Sequence, residues 1–83
     1  MIAELVDERD ATVEHDQPVF RAIFTQNHTV ASYRLTGGHL PDALAWVAAN
    51  AADRAHALYV EHPLAESDGV ELILLQRTAG FSW

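Results

Sequence analysis

Residues 30–60, VASYRLTGGHLPDALAWVAANAADRAHALYV, decide the fold. The stretch opens with alternation. Tyr33 and Leu35 point one way, and Ser32, Arg34 and Thr36 the other, which is the two-residue period of a strand. Gly37-Gly38 breaks the strand, and Leu40-Pro41-Asp42 carries the marks of a helix start. Pro41 suits the first helical position, where its missing N–H costs nothing, and Asp42 in the first turn complements the helix dipole. Leu40, Leu44, Val47, Ala48 and Ala51 recur at helical spacing and predict an apolar stripe, with Trp46 at its edge and its ring partly exposed. Alanine is the best helix former and permits close approach to a sheet. The helix is expected to end near Ala52 or Asp53. From His56 to His62 the alternation returns, with Leu58 and Val60 on one face and Ala57, Tyr59 and Glu61 on the other.

Working outward, VFRAIFT at 19–25 is a strand with Phe20, Ala22 and Phe24 on one face and Val19, Arg21, Ile23 and Thr25 on the other. Gln26 to Thr29 has turn character centred on Asn27, so this strand and the next form a hairpin. After a polar loop from Pro63 to Gly69, VELILLQRT at 70–78 is the last strand. Its centre, Leu72 to Leu75, is apolar on both faces, which predicts a central strand covered on both sides. Gly80 ends it, and Phe81 and Trp83 follow. The expected fold is α+β in the order ββαββ: one helix on a four-stranded, mainly antiparallel sheet, forming one domain over residues 17–83. One helix covers one sheet face.

Residues 1–16 carry six acids and one base, Arg9. They read as an acidic arm or as a short edge element around Ile2 to Val6. The whole chain of 83 residues has twelve acids, five bases and a net charge of -7. That balance argues against a phosphate-backbone binder, which needs clustered Lys and Arg. All five bases are arginine, and with fourteen alanines this reads as GC-rich coding. A domain of this size buries only roughly 60–65% of the surface its unfolded chain exposes, so a partner would add materially to stability. The chain has no cysteine, which removes disulfides, thiolate metal sites and a cysteine nucleophile, and points to a cytoplasmic setting. Met1 to Leu5 lacks the basic-then-apolar pattern of a signal peptide, and no apolar run reaches the ~20 residues of a membrane span.

Five histidines are the first candidates for chemistry. His56 and His62 share a strand face but lie roughly 20 Å apart, too far to hold one metal ion. His15, His28 and His39 are scattered, and no metal motif is present, so five surface histidines is the plainer reading and no metal or cofactor is expected. The hydroxyls sit in no nucleophile-elbow motif, and no catalytic residue is assigned. Gly37-Gly38 with His39 at a loop-to-helix junction offers a small ligand or catalytic pocket. The plainer reading is a tight turn with a solvated His39, and Asp42 would repel an anion there. The acidic arm offers a second idea, a nucleic-acid mimic that occupies another protein's basic groove. The plainer reading is a solubilising tail.

The last constellation is apolar. If the helix covers one face, the other carries Val19, Ile23, Val30, Leu72 and Leu74 or their opposites, and Phe81, Trp83 and Trp46 add aromatic area. Uncovered apolar area of a few hundred Å² marks an interface. The candidate interface is therefore Trp46, Leu72, Leu74, Phe81 and Trp83, set against the plainer reading that the aromatics close over the domain's own core.

Leu40-Pro41-Asp42-Ala43-Leu44-Ala45-Trp46 and Ala57-Leu58-Tyr59-Val60 also resemble segments of short, functionally unassigned proteins of high-GC actinobacteria, over residues 30–80. The resemblance implies a bacterial, cytoplasmic origin and the strand–helix–strand order, and brings no functional residues. The expected function is a non-enzymatic protein-interaction module, homodimeric or bound to another protein, without direct nucleic-acid or membrane binding. The competing expectations are the acidic mimic and the pocket near Gly37 to His39.

Overall fold

The computed structural model describes residues 1–6, 18–64 and 69–82. It contains β1 (Ile2–Val6), β2 (Phe20–Gln26), β3 (Thr29–Thr36), α1 (Leu40–Asn50), β4 (Ala55–Pro63) and β5 (Val70–Arg77). The class is α+β, but the sheet has five strands, not four, in the order β1-β3-β2-β4-β5 with every neighbouring pair antiparallel. The extra strand is β1, the first third of the expected acidic arm. Its register against β3, Ile2 opposite Thr36 through Val6 opposite Ser32, makes it one edge of the sheet. The remainder of the arm, residues 7–16, lies outside the described residues.

The β2–β3 hairpin closes through Asn27 and His28, both with positive φ (49° and 67°). Two such residues in succession match the right-handed twist of the strands they join. β3 and β4 each run antiparallel to β2 and therefore parallel to one another. Parallel strands cannot be joined by a tight turn, so α1 serves as the crossover of a split β-α-β unit with β2 between its strands.

The helix starts as read: Pro41 lies in the first turn, and the Asp42 carboxylate accepts the backbone N–H of His39 at 2.9 Å. The stripe differs. Ala43 and Val47 are buried, with Trp46 and Ala51 partly buried against the same core, whereas Leu40, Leu44 and Ala48 are exposed. The side chain of Ala43 is small enough to let the helix sit close over Phe20, Ala22, Phe24, Leu35 and Leu58, so the contact turns toward the small residue and away from the leucines. Phe24 anchors an aromatic group, with Tyr33, Trp46 and His56 rings each 5.9 Å away, and the Arg54 guanidinium stacks over it at 4.2 Å. Arg54 also donates from Nη2 to Asn50 O (2.7 Å) and from Nε to Ala51 O (3.2 Å), satisfying carbonyls at the helix C-terminus.

The second sheet face departs from expectation in its middle. Val19, Ile23, Ser32 and Ala57 are buried there, together with three charges. The larger correction concerns β5. It is an edge strand, and its two-sided apolar sequence does not place it in the centre, because the β4–β5 connection can add it only to β4's outer side once β2 occupies the inner one.

Candidate interaction surface on the outer strand

β5 runs antiparallel to β4 from Val70 opposite Pro63 to Arg77 opposite Ala57, and a register shift between Leu58 and Tyr59 leaves Leu75 as the extra residue of a bulge. Its far end is fastened by Thr78, whose N–H donates to His56 O (2.9 Å) while its Oγ1 accepts the His56 N–H (3.0 Å). The cross-strand partners assign the faces. Glu71, Ile73 and Gln76 lie on the helix side, opposite His62, Val60 and Leu58, and Val70, Leu72, Leu74 and Arg77 lie on the other, opposite Pro63, Glu61, Tyr59 and Ala57.

α1 packs over β2, β3 and β4 and stops short of β5. Ile73, on the helix side, is consequently 40% exposed; on the other face Leu74 is 46% exposed and Leu72 half-buried, and the bulged Leu75 is 42% exposed. Among the described residues no strand pairs with the outer edge of β5. An eight-residue edge strand with five apolar side chains spread over both faces is a template for another strand. The opposite edge, β1, also exposes Ile2 and Leu5, but over five residues only.

Of the candidate interface residues, Leu72 and Leu74 belong to this surface. Trp46 does not: it packs inward on Phe24 and Tyr33, with its ring centroid 5.3 Å from that of Tyr33. Phe81 is half-buried just beyond the strand, with its N–H donating to Thr78 O, and Trp83 lies outside the described residues. Sequence reading missed Ile73 and Leu75 as surface residues, because it took the run 72–75 for a covered centre.

It also missed a buried charge cluster on the second face. Arg21 and Arg34 are directly opposed across β2 and β3, where two cations would repel. Glu61 on β4 resolves this with one oxygen: Oε2 lies 3.0 Å from Arg21 Nη2, and accepts from Arg21 Nε and Arg34 Nε at 3.1 Å each. All three residues are buried. The legible signal was two arginines and one glutamate at interior positions of strands that converge on one face. Nearby, Tyr59 is held above the ordinary tyrosine pKa by burial, with Arg77 opposing.

The turn at Gly37 to His39 is filled by the chain itself. Gly37 has φ +79°, and a side chain at Gly38 would meet Met1 Cε at 2.8 Å and Asp42 Cβ at 3.0 Å. Two open cavities lie at the other end of the sheet, one of about 180 Å³ beside Phe24, Asn27 and Arg54, the other of about 410 Å³ beside His28, Val30 and Ser82. Among the described residues no three of His, Asp and Glu gather at metal-binding distance, and no helix is long and apolar enough to cross a membrane. Comparison of the chain with protein-family models, with curated proteins and with solved structures returned no match.

Proposed function

We propose that this chain is a non-enzymatic protein-interaction module that self-associates through β5. The observation that supports it is the outer strand, apolar on both faces and 40–46% exposed at Ile73, Leu74 and Leu75. Fully burying such a side chain is worth about 1.5–3 kcal/mol, so covering these three on each of two copies yields about 4–7 kcal/mol before backbone hydrogen bonds. Association itself costs upwards of about 4 kcal/mol. The two terms are comparable, so side-chain burial alone leaves a dissociation constant of about millimolar or weaker, and the backbone hydrogen bonds of a strand pair, at about 0.5–1.5 kcal/mol each, bring the reversible dimer toward the micromolar range.

Light scattering coupled to size-exclusion chromatography over a concentration series tests this. The expected result is a mass that rises from one copy to two as concentration increases. Each copy carries -7, so screening by salt lowers mutual repulsion and the dimer tightens as salt is added. An acidic mimic on a basic groove would show the reverse dependence. A single-copy mass at every concentration and salt level contradicts the reading.

A further inference from the structure

We infer that the occupant of the β5 edge is the β5 of a second copy, paired antiparallel about a two-fold axis centred on Ile73. This rests on the self-association reading and specifies its geometry. Directly opposed residues in an antiparallel pair point to the same side of the sheet. A bulge on an edge strand normally defeats such pairing, because it switches the side on which every later residue lies. In β5 the switch falls at Leu75.

A register centred on Ile73 answers the bulge with the same bulge in the second copy. Ile73 then meets Ile73, Leu72 meets Leu74, Glu71 meets Gln76 and Val70 meets Arg77, with both copies of Leu75 set aside. Every pair joins residues that the β4 register places on the same face. With Leu75 set aside in each case, a register centred on Leu72 pairs only Val70–Leu74 of the strand and one centred on Leu74 pairs only Leu72–Arg77, whereas centring on Ile73 pairs the strand from Val70 to Arg77.

Charge favours the second copy in this orientation. The strand has one acid, Glu71, and one base, Arg77, at opposite ends. Antiparallel pairing brings no like charges together, whereas parallel pairing would set Glu71 against Glu71. Pairing β5 with the β1 of another copy would be heterologous and would leave one edge of each copy for a further copy to cover. The two-fold pairing closes, and gives one continuous ten-stranded sheet with both α1 helices on the same side.

The chain has no cysteine, so single-cysteine variants report the register without background. In this geometry a cysteine at position 73 faces itself within disulfide range, while cysteines at 72 or 74 face their own counterparts only diagonally, at about 8 Å. Mild oxidation of Ile73→Cys is expected to give a disulfide dimer at least about tenfold faster than Leu72→Cys or Leu74→Cys. The double variant Leu72→Cys with Leu74→Cys keeps Ile73 and is expected to cross-link as readily. Fastest linkage in either single variant at 72 or 74 overturns the register while leaving the dimer. No linkage in any variant, with a dimeric mass still seen by light scattering, overturns the β5 surface. A single-copy mass throughout overturns self-association itself.

Discussion

β2 and β5 are nearly equal in length and each more than half apolar, and they have opposite fates. β2 is buried on both faces, and even its arginine is 1% exposed; β5 is open on both faces, and its Leu74 and Leu75 are more than two-fifths exposed. Local hydrophobicity does not separate them. Connectivity does: β2 is held between β3 and β4 by a hairpin on one side and the helical crossover on the other, while β5 can only be added outside β4. The difference teaches that the burial of a strand is a property of its place in the sheet, and that apolar residues in excess of what one helix can cover collect at the edge, where a partner strand can use them.

The largest expected effect lies at the centre. Glu61→Gln keeps the volume but removes the charge that joins Arg21 and Arg34, and is expected to destabilise the fold by about 3–5 kcal/mol in denaturant unfolding. The matching change at the edge, Glu71→Gln, is expected to stay within about 0.5 kcal/mol. Equal losses would erase the contrast between the two strands.

At the edge the effect should appear in association and not in folding. Ile73→Lys places like charges opposite one another across the two-fold pairing and is expected to weaken the dimer on the order of 100-fold in sedimentation equilibrium. Its unfolding free energy, measured at concentrations where the chain is a monomer, should shift by less than about 1 kcal/mol. A large loss of monomer stability would mean that Ile73 belongs to the core.

A smaller effect sharpens the description of the centre. Ser32 faces Ile23 and is 2% exposed, and its hydroxyl has no hydrogen-bond partner among the described residues. Ser32→Ala removes that desolvated group and is expected to raise stability by about 1 kcal/mol. A loss of similar size would reveal a bond to the hydroxyl.

The smallest effect is in pH. Burial favours the neutral phenol of Tyr59, so its pKa in the folded chain lies above the ordinary 10.0. The associated stability is fully present below pH 10 and declines as pH rises through the folded-state value. Phenolate absorbance should show Tyr59 titrating late. Removing the opposing cation with Arg77→Gln should delay it further, and an earlier titration would contradict the assignment.

Much of the fold was legible because it is local. Alternation in Phe20–Phe24 and Tyr33–Leu35, the Asn27 turn and the Pro41-Asp42 helix start each involve neighbours in sequence, and each is found in the structure. What failed was non-local. Two stripes compete for the sheet on α1, and only its close approach through Ala43 decides between them. Leu72–Leu75 looks central because a period of two describes a strand's faces and is silent about its neighbours. Arg21, Arg34 and Glu61 lie on three strands up to 40 residues apart, and their meeting depends on the register. The surface residues Leu72 and Leu74 were legible as apolar, but their exposure follows only from the strand order.

The account is tested most directly by amide hydrogen exchange measured at low and at high protein concentration. The expected result is exchange that slows with concentration at Val70–Arg77 and stays constant in β1. Slowing confined to β1, or exchange in β5 that ignores concentration while the mass doubles, would contradict the assignment of the outer strand as the associating surface.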